Sequence, residues 1–140
     1  MPGTPSPRDV FDRFQRNVLE GGGLALTADM CAQDVIVETP VAPPGHPRRF
    51  DGREQFAAFA EAARAALAHV RFEEFRNVVP QETADPEVLI VEYEIAATDT
   101  ATGRSATAPF ILVLRVRDGV VTHFREYQDT AALAAFAQPA

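Results

Sequence analysis

"RVRDGVVTHFREYQDTAALAAF", residues 115–136, decides the fold. Asp118-Gly119 is the strongest hairpin signal in the chain, because the tightest two-residue turns need positive φ and favour Asp-Gly. The segment before it, Arg104 to Arg117, has a period of two: Phe110, Leu112, Leu114 and Val116 share one face. The segment after it, Val120 to Asp129, reads as the last strand. Val120, Thr122, Phe124, Glu126 and Gln128 point one way; Val121, His123, Arg125, Tyr127 and Asp129 point the other. A short helix from about Thr130 to Phe136 closes the chain.

Moving toward the N-terminus, the period of two persists. Glu87 to Thr98 is a long strand with Leu89, Val91, Tyr93 and Ile95 on one face, and Thr100 to Gly103 turns it into the next. Arg71 to Val79 is a strand marked by Phe72 and Phe75, followed by a turn from Pro80 to Pro86. Earlier still the spacing is helical. Ser6-Pro7-Arg8-Asp9 is a helix start with Ser6 as N-cap, and Val10, Phe11, Phe14 and Val18 form its apolar face. Gly21-Gly22-Gly23 ends that helix. Leu24 to Cys31 reads as a second, short helix, and Val35-Ile36-Val37 as a short strand. Asp51 with Glu54 resembles a capping box, after which Phe56, Phe59, Ala60, Ala63 and Leu67 line one side of a helix running to about His69. Between strand and helix lies "VETPVAPPGHPRRFDG", residues 37–52, stiffened by four prolines.

Helices set apart from an antiparallel meander define an α+β class. A long twisted sheet curls, and helices across its concave side would enclose a pocket with the proline-rich loop at its rim. The 140 residues suit a single domain, 1–140, with residues 1–5 as a loose tail. Apolar residues make up 46% and charged residues 24%, ordinary for a globular chain. A net charge of −7 argues against nucleic acid as a partner. No apolar run approaches the ~20 residues that span a bilayer, so no membrane partner is expected. The N-terminus lacks the basic-then-apolar pattern of a secretory signal, so the expected location is the cytoplasm. A single cysteine, Cys31, leaves no internal disulfide, and three scattered histidines show no metal-ligand spacing. No phosphate loop, nucleophile elbow or dinucleotide fingerprint is present, so no cofactor is expected.

The order of elements resembles the cone-shaped α+β fold named for nuclear transport factor 2. The ending "RVRDGVVTHFREYQDTAALAAF" is similar to that of SnoaL-like proteins, with an Asp-Gly turn, a strand ending in Glu-Tyr, then Asp and a short helix. "PPGHPRRFDGREQFAAF" resembles the same family's Pro-Gly loop and Gly-Arg-Glu helix start. The resemblance covers about Val10 to Phe136. It implies a curved sheet with three helices enclosing a deep apolar pocket, and the polyketide-cyclase and phenazine-pathway branches are the most similar. In those branches an acidic residue on the last strand faces the cavity, and Glu126 is the matching position.

Glu126 among apolar side chains would be a usable acid or base near neutral pH, since desolvation raises a carboxyl pKa. The plain alternative is an exposed glutamate paired with Arg115 or Arg125. His46, held by Pro43, Pro44 and Pro47, is a candidate proton donor at the rim or a solvated loop residue. Glu38, on the face of Ile36, is the third catalytic candidate or an ordinary edge charge. Arg48 is a candidate carboxylate clamp. Tyr93, Phe124, Phe56 and Phe59 are candidate substrate contacts, Tyr93 offering a hydroxyl or serving as core.

The resulting expectation is a cofactor-independent enzyme of cyclase or isomerase type, moving protons on a small apolar or aromatic carbonyl molecule. The alternative is a binding protein with the same pocket and no chemistry. Val113, Val121 and Tyr127, on the face read as outward, further predict a homodimer.

Overall fold

The computed structural model describes residues 3–21 and 25–137. Helix α1 (Pro7–Gly21) starts where the sequence places it. The Ser6 N–H donates to Asp9 Oδ2 at 3.0 Å and the Asp9 N–H to Ser6 Oγ at 3.2 Å, a reciprocal cap with Asp in the usual Glu position. Val10, Phe11, Phe14 and Val18 are all buried. Gly22, Gly23 and Leu24 lie outside the described residues.

The expected helix ending at Cys31 is replaced by one 3-10 turn, Ala28–Met30, and strand β1 (Cys31–Glu38) begins at once. Cys31 already pairs with Val121, so sheet pairing and burial override the local helical pattern. Strand β2 (Arg49–Asp51) was not legible in the proline-rich segment. It pairs antiparallel to β1, with Val37 opposite Phe50, and three residues are too few to show a period. Helix α2 (Arg53–Ala66) follows Gly52, whose φ of +98° takes the N-cap position. The Asp51/Glu54 capping box is therefore not formed; Gln55 Oε1 accepts the Asp51 N–H at 2.6 Å instead.

Strands β3 (Val70–Glu82), β4 (Val88–Asp99), β5 (Ser105–Arg117) and β6 (Val120–Gln128) form the meander, and α3 (Thr130–Ala137) closes it. β3 runs on through Pro80, where a turn was expected. It is an edge strand, where a missing N–H costs no ladder bond. Asp118 and Gly119 have φ of +54° and +82°, as the tight hairpin demands.

The sheet order is β2-β1-β6-β5-β4-β3. β1 lies parallel to β6, so the sheet is mixed where a purely antiparallel one was expected. Three helices and this curved, open sheet make the α+β architecture. A bulge interrupts β6: Arg115 pairs with His123 but Val116 pairs with Val121, leaving Thr122 as the extra residue. That extra residue turns Val121 onto the inner face, where it is fully buried, and corrects its reading as an outward residue. The inner face carries the core, covered by α1, while α2 packs on β1 and β2.

Candidate active site

Strand register aligns the inner face in rows, because residues opposite one another in a ladder share a face. Leu89, Leu114 and Phe124 make one row, Val91, Leu112 and Glu126 the next, Tyr93, Phe110 and Gln128 the third. Val91 and Leu112 are wholly buried. Glu126 is thus a carboxyl set in an apolar row.

Two donors meet that carboxyl. The Tyr93 hydroxyl donates to Glu126 Oε2, and Gln128 Nε2 donates to Oε1 at 3.2 Å. The residue as a whole keeps some solvent contact, but the carboxyl end lies in the interior. Burial pushes the Glu126 pKa above the ordinary glutamate value; the bonds from Tyr93 and Gln128 pull the other way without cancelling it. Burial first, then the neighbouring Glu126 charge, holds Tyr93 well above the usual tyrosine range, so its hydroxyl stays a proton donor in the hydrogen bond.

Rings crowd around Tyr93. Phe75 and Phe110 stack on it at 5.3 and 5.5 Å, and Phe11 from α1 tilts against it at 5.4 Å. Phe14, also from α1, lies 5.5 Å from Phe124. Side chains from α1 therefore occupy space where the sequence predicted a hollow. Two surface concavities, of about 400 and 280 Å³, are not lined by Glu126, although Tyr93, Phe110 and Gln128 help to line the 400 Å³ one.

Tyr93 and Phe124 sit on the Glu126 face, as expected. The other candidates are not brought there. Glu38 shares the opposite face with Ile36, and its Oε1 lies 2.6 Å from His123 Nε2, with the sheet between this pair and Glu126. His46 and Arg48 are exposed in the loop, where the His46 N–H closes a turn onto Pro43 O at 3.1 Å. Phe56 and Phe59 pack on Phe50, at 5.9 and 4.5 Å, as a cluster of α2 on β2. Three participants escaped the sequence reading. Gln128 was placed on the Glu126 face without a role, although its i+2 spacing was the signal. Phe11 and Phe14 were legible as an apolar helix face but not as rings beside Tyr93.

Other nucleophiles and acids have structural explanations. Cys31 is buried, and burial pushes its thiol up to about 11, which removes the thiolate at neutral pH. Asp99 is buried at the β4–β5 turn, where its Oδ1 accepts the N–H groups of Ala101 and Thr102 at 2.8 and 3.3 Å.

A match to the SnoaL-like domain spans residues 11–124, most of the chain. The chain belongs to the SnoaL-like family. The matched region ends at Phe124, before Glu126, so the family assignment rests on the fold-forming segments rather than on the carboxyl. An uncharacterised PhzA/B-like protein of Pseudomonas aeruginosa is 34% identical over 110 residues, covering 79% of this chain and 75% of that one. Among solved structures, a proposed isomerase of Bacillus subtilis superposes with a TM-score of 0.80 at 21% identity, covering 93% of this chain and 91% of that chain. A proposed polyketide cyclase of Xanthomonas campestris pv. campestris gives 0.72 at 18% identity, covering 94% and 96%. At these identities the structures establish the cone-shaped fold of nuclear transport factor 2, which this SnoaL-like chain shares, and no more. No helix among the described residues is long and apolar enough to cross a membrane.

Proposed function

We propose that this SnoaL-like protein is a cofactor-independent enzyme of cyclase or isomerase type, with Glu126 as its acid–base residue. The observation that carries the reading is the Glu126 carboxyl, held in an apolar row by Tyr93 and Gln128 with its pKa raised by burial. The substrate class is a small apolar or aromatic carbonyl compound, suited to the phenylalanines around Tyr93. Descriptions of similar structures as a proposed isomerase and a proposed polyketide cyclase point the same way.

Glu126 takes a proton from the carbon next to the carbonyl, leaving an enolate and a neutral carboxylic acid. Returning the proton at another carbon isomerises the substrate. Attack of the enolate on a second carbonyl closes a ring, and the same proton then quenches the alkoxide. Rings of Phe11 and Phe14 stand where the substrate would lie, so binding displaces them.

A second reading, a binder without chemistry, is favoured by the satisfied state of both carboxyl oxygens. The test is hydrogen–deuterium exchange beside the carbonyl in a panel of aromatic ketones and β-diketones. Positioned acid–base groups contribute about 10²- to 10⁴-fold. Glu126→Gln should lose exchange by that factor with its fold intact. Equal exchange in both proteins rejects the catalytic role, and retained ligand binding without any exchange selects the binder.

A further inference from the structure

Taking a proton from the carbon beside a carbonyl puts negative charge on the carbonyl oxygen, and a hydrogen-bond donor aimed at that oxygen lowers the barrier. Among the described residues, two side chains donate hydrogen bonds to the Glu126 carboxyl on the inner face, Tyr93 and Gln128. They differ in how many hydrogens they carry. A tyrosine hydroxyl has one, and that of Tyr93 is engaged by Glu126 Oε2. A glutamine amide has two. One from Gln128 meets Glu126 Oε1 at 3.2 Å, and the other has no partner among the described residues. The neighbouring inward side chains, Leu112, Phe110 and Phe124, have no polar atom.

Position favours Gln128 as well. Tyr93 is 2% exposed, with Phe75 and Phe110 stacked on its ring. Gln128 is half-buried, ends β6 and borders the surface concavity of about 400 Å³. The spacing also fits. In a ketone the α-carbon and the oxygen lie about 2.4 Å apart, across bonds of about 1.5 and 1.2 Å. Glu126 Oε1 and Gln128 Nε2, 3.2 Å apart, can therefore receive the two ends of one H–C–C=O unit. Oε1 keeps a second lone pair for the proton. We propose that Gln128 is a second catalytic residue, whose free N–H holds the substrate's carbonyl oxygen while Glu126 Oε1 takes the α-proton. In that step the C–H bond breaks and its electron pair forms the C=C bond of the enolate. The carbonyl π pair moves onto oxygen, and the proton ends on Glu126. The amide transfers no proton; its hydrogen bond strengthens as charge builds on the oxygen.

The role of Gln128 rests on the acid–base reading of Glu126, and two readouts separate them. The first is the infrared C=O band of an aryl ketone, labelled with carbon-13 at the carbonyl and bound to the intact protein. The band should lie at lower frequency in the wild type than in Gln128→Met, whose side chain has the same length and no donor. The second is hydrogen–deuterium exchange of the same ketone. On the high-pH plateau, where Glu126 is ionised in both proteins, Gln128→Met should lower kcat by about 10²- to 10³-fold and leave KM nearly unchanged. Gln128→Ala should show the same two losses should Gln128→Met fail to fold. An identical band in wild type and variant overturns the assignment even where exchange proceeds. Equal kcat overturns it too, as does a wild type that binds no aryl ketone. A shifted band in a wild type that exchanges no proton leaves the Gln128 donor in place and overturns the acid–base reading alone.

Discussion

The Tyr93 hydroxyl donates to Glu126 across two strands, from β4 over β5 to β6, so a single hydrogen bond ties the middle of the sheet to its only glutamate on the inner face of β6. Burial raises the Glu126 pKa above its ordinary 4.5, so the folded chain holds that proton more tightly than the unfolded one. The group's contribution is fully present below about 4.5 and is lost as pH rises through the raised folded value. Glu126→Gln removes this dependence. The difference in melting temperature, variant minus wild type, should be smallest near pH 4 and become more positive toward pH 7. Melting curves that stay parallel across that range would show that the carboxyl is not desolvated.

Tyr93→Phe keeps the ring and removes the donor. A hydrogen bond to a buried charged group contributes about 1.5–3 kcal/mol, so at a pH where Glu126 is ionised the variant should lose about that much unfolding free energy in urea. With Glu126→Gln already present, the same change should cost about 1 kcal/mol or less, since a neutral partner is bonded more weakly. The remaining donor, Gln128, cannot replace Tyr93, so the Glu126 pKa should rise further and any pH–rate profile should shift up with it. Additive costs in the double variant would show that the two residues do not interact.

Much of this arrangement was legible in the sequence. A strict period of two put Tyr93, Leu112 and Glu126 on inward faces, and Asp118-Gly119 fixed the register that aligns them. What escaped were features made by tertiary contact. The Thr122 bulge reverses the face of Val121, and no residue in "VVTHF" announces it. β2 exists because β1 offers it a partner, and β1 begins at Cys31 because Val121 lies beside it. Aromatic filling beside Tyr93 depends on where α1 docks, which periodicity within one helix cannot state. Glu38 does share a face with Ile36, but that this is the outer face was not legible, because a strand of three recognised residues, Val35 to Val37, has no visible inner side until its neighbours are known.

Glu38→Gln is the natural control for the catalytic reading. Its carboxyl meets His123 on the outer face, whereas the hydrogen bonds of Glu126 lie on the inner face. The pair is partly exposed, and such pairs contribute about 0–1 kcal/mol. Exchange activity should stay within about twofold of wild type, with a loss of stability of at most about 1 kcal/mol. A large loss of activity at unchanged stability would move the chemistry to the outer face.

Gly119 tests the turn that set the fold. Its φ of +82° suits glycine, and a Cβ there would lie 2.9 Å from Pro5 Cδ and 3.0 Å from Thr4 Cγ2. Gly119→Ala thus meets two separable penalties. The left-handed backbone costs about 1–2 kcal/mol for a residue with a side chain, and contact with Thr4 and Pro5 adds to it. Deleting residues 1–5 leaves Ser6 and Asp9 to cap α1 but removes the contact. In the shortened chain Gly119→Ala should cost only the backbone part, measurably less than in the full chain by urea unfolding. An equal cost in both would mean that the N-terminal segment does not rest on the hairpin in solution.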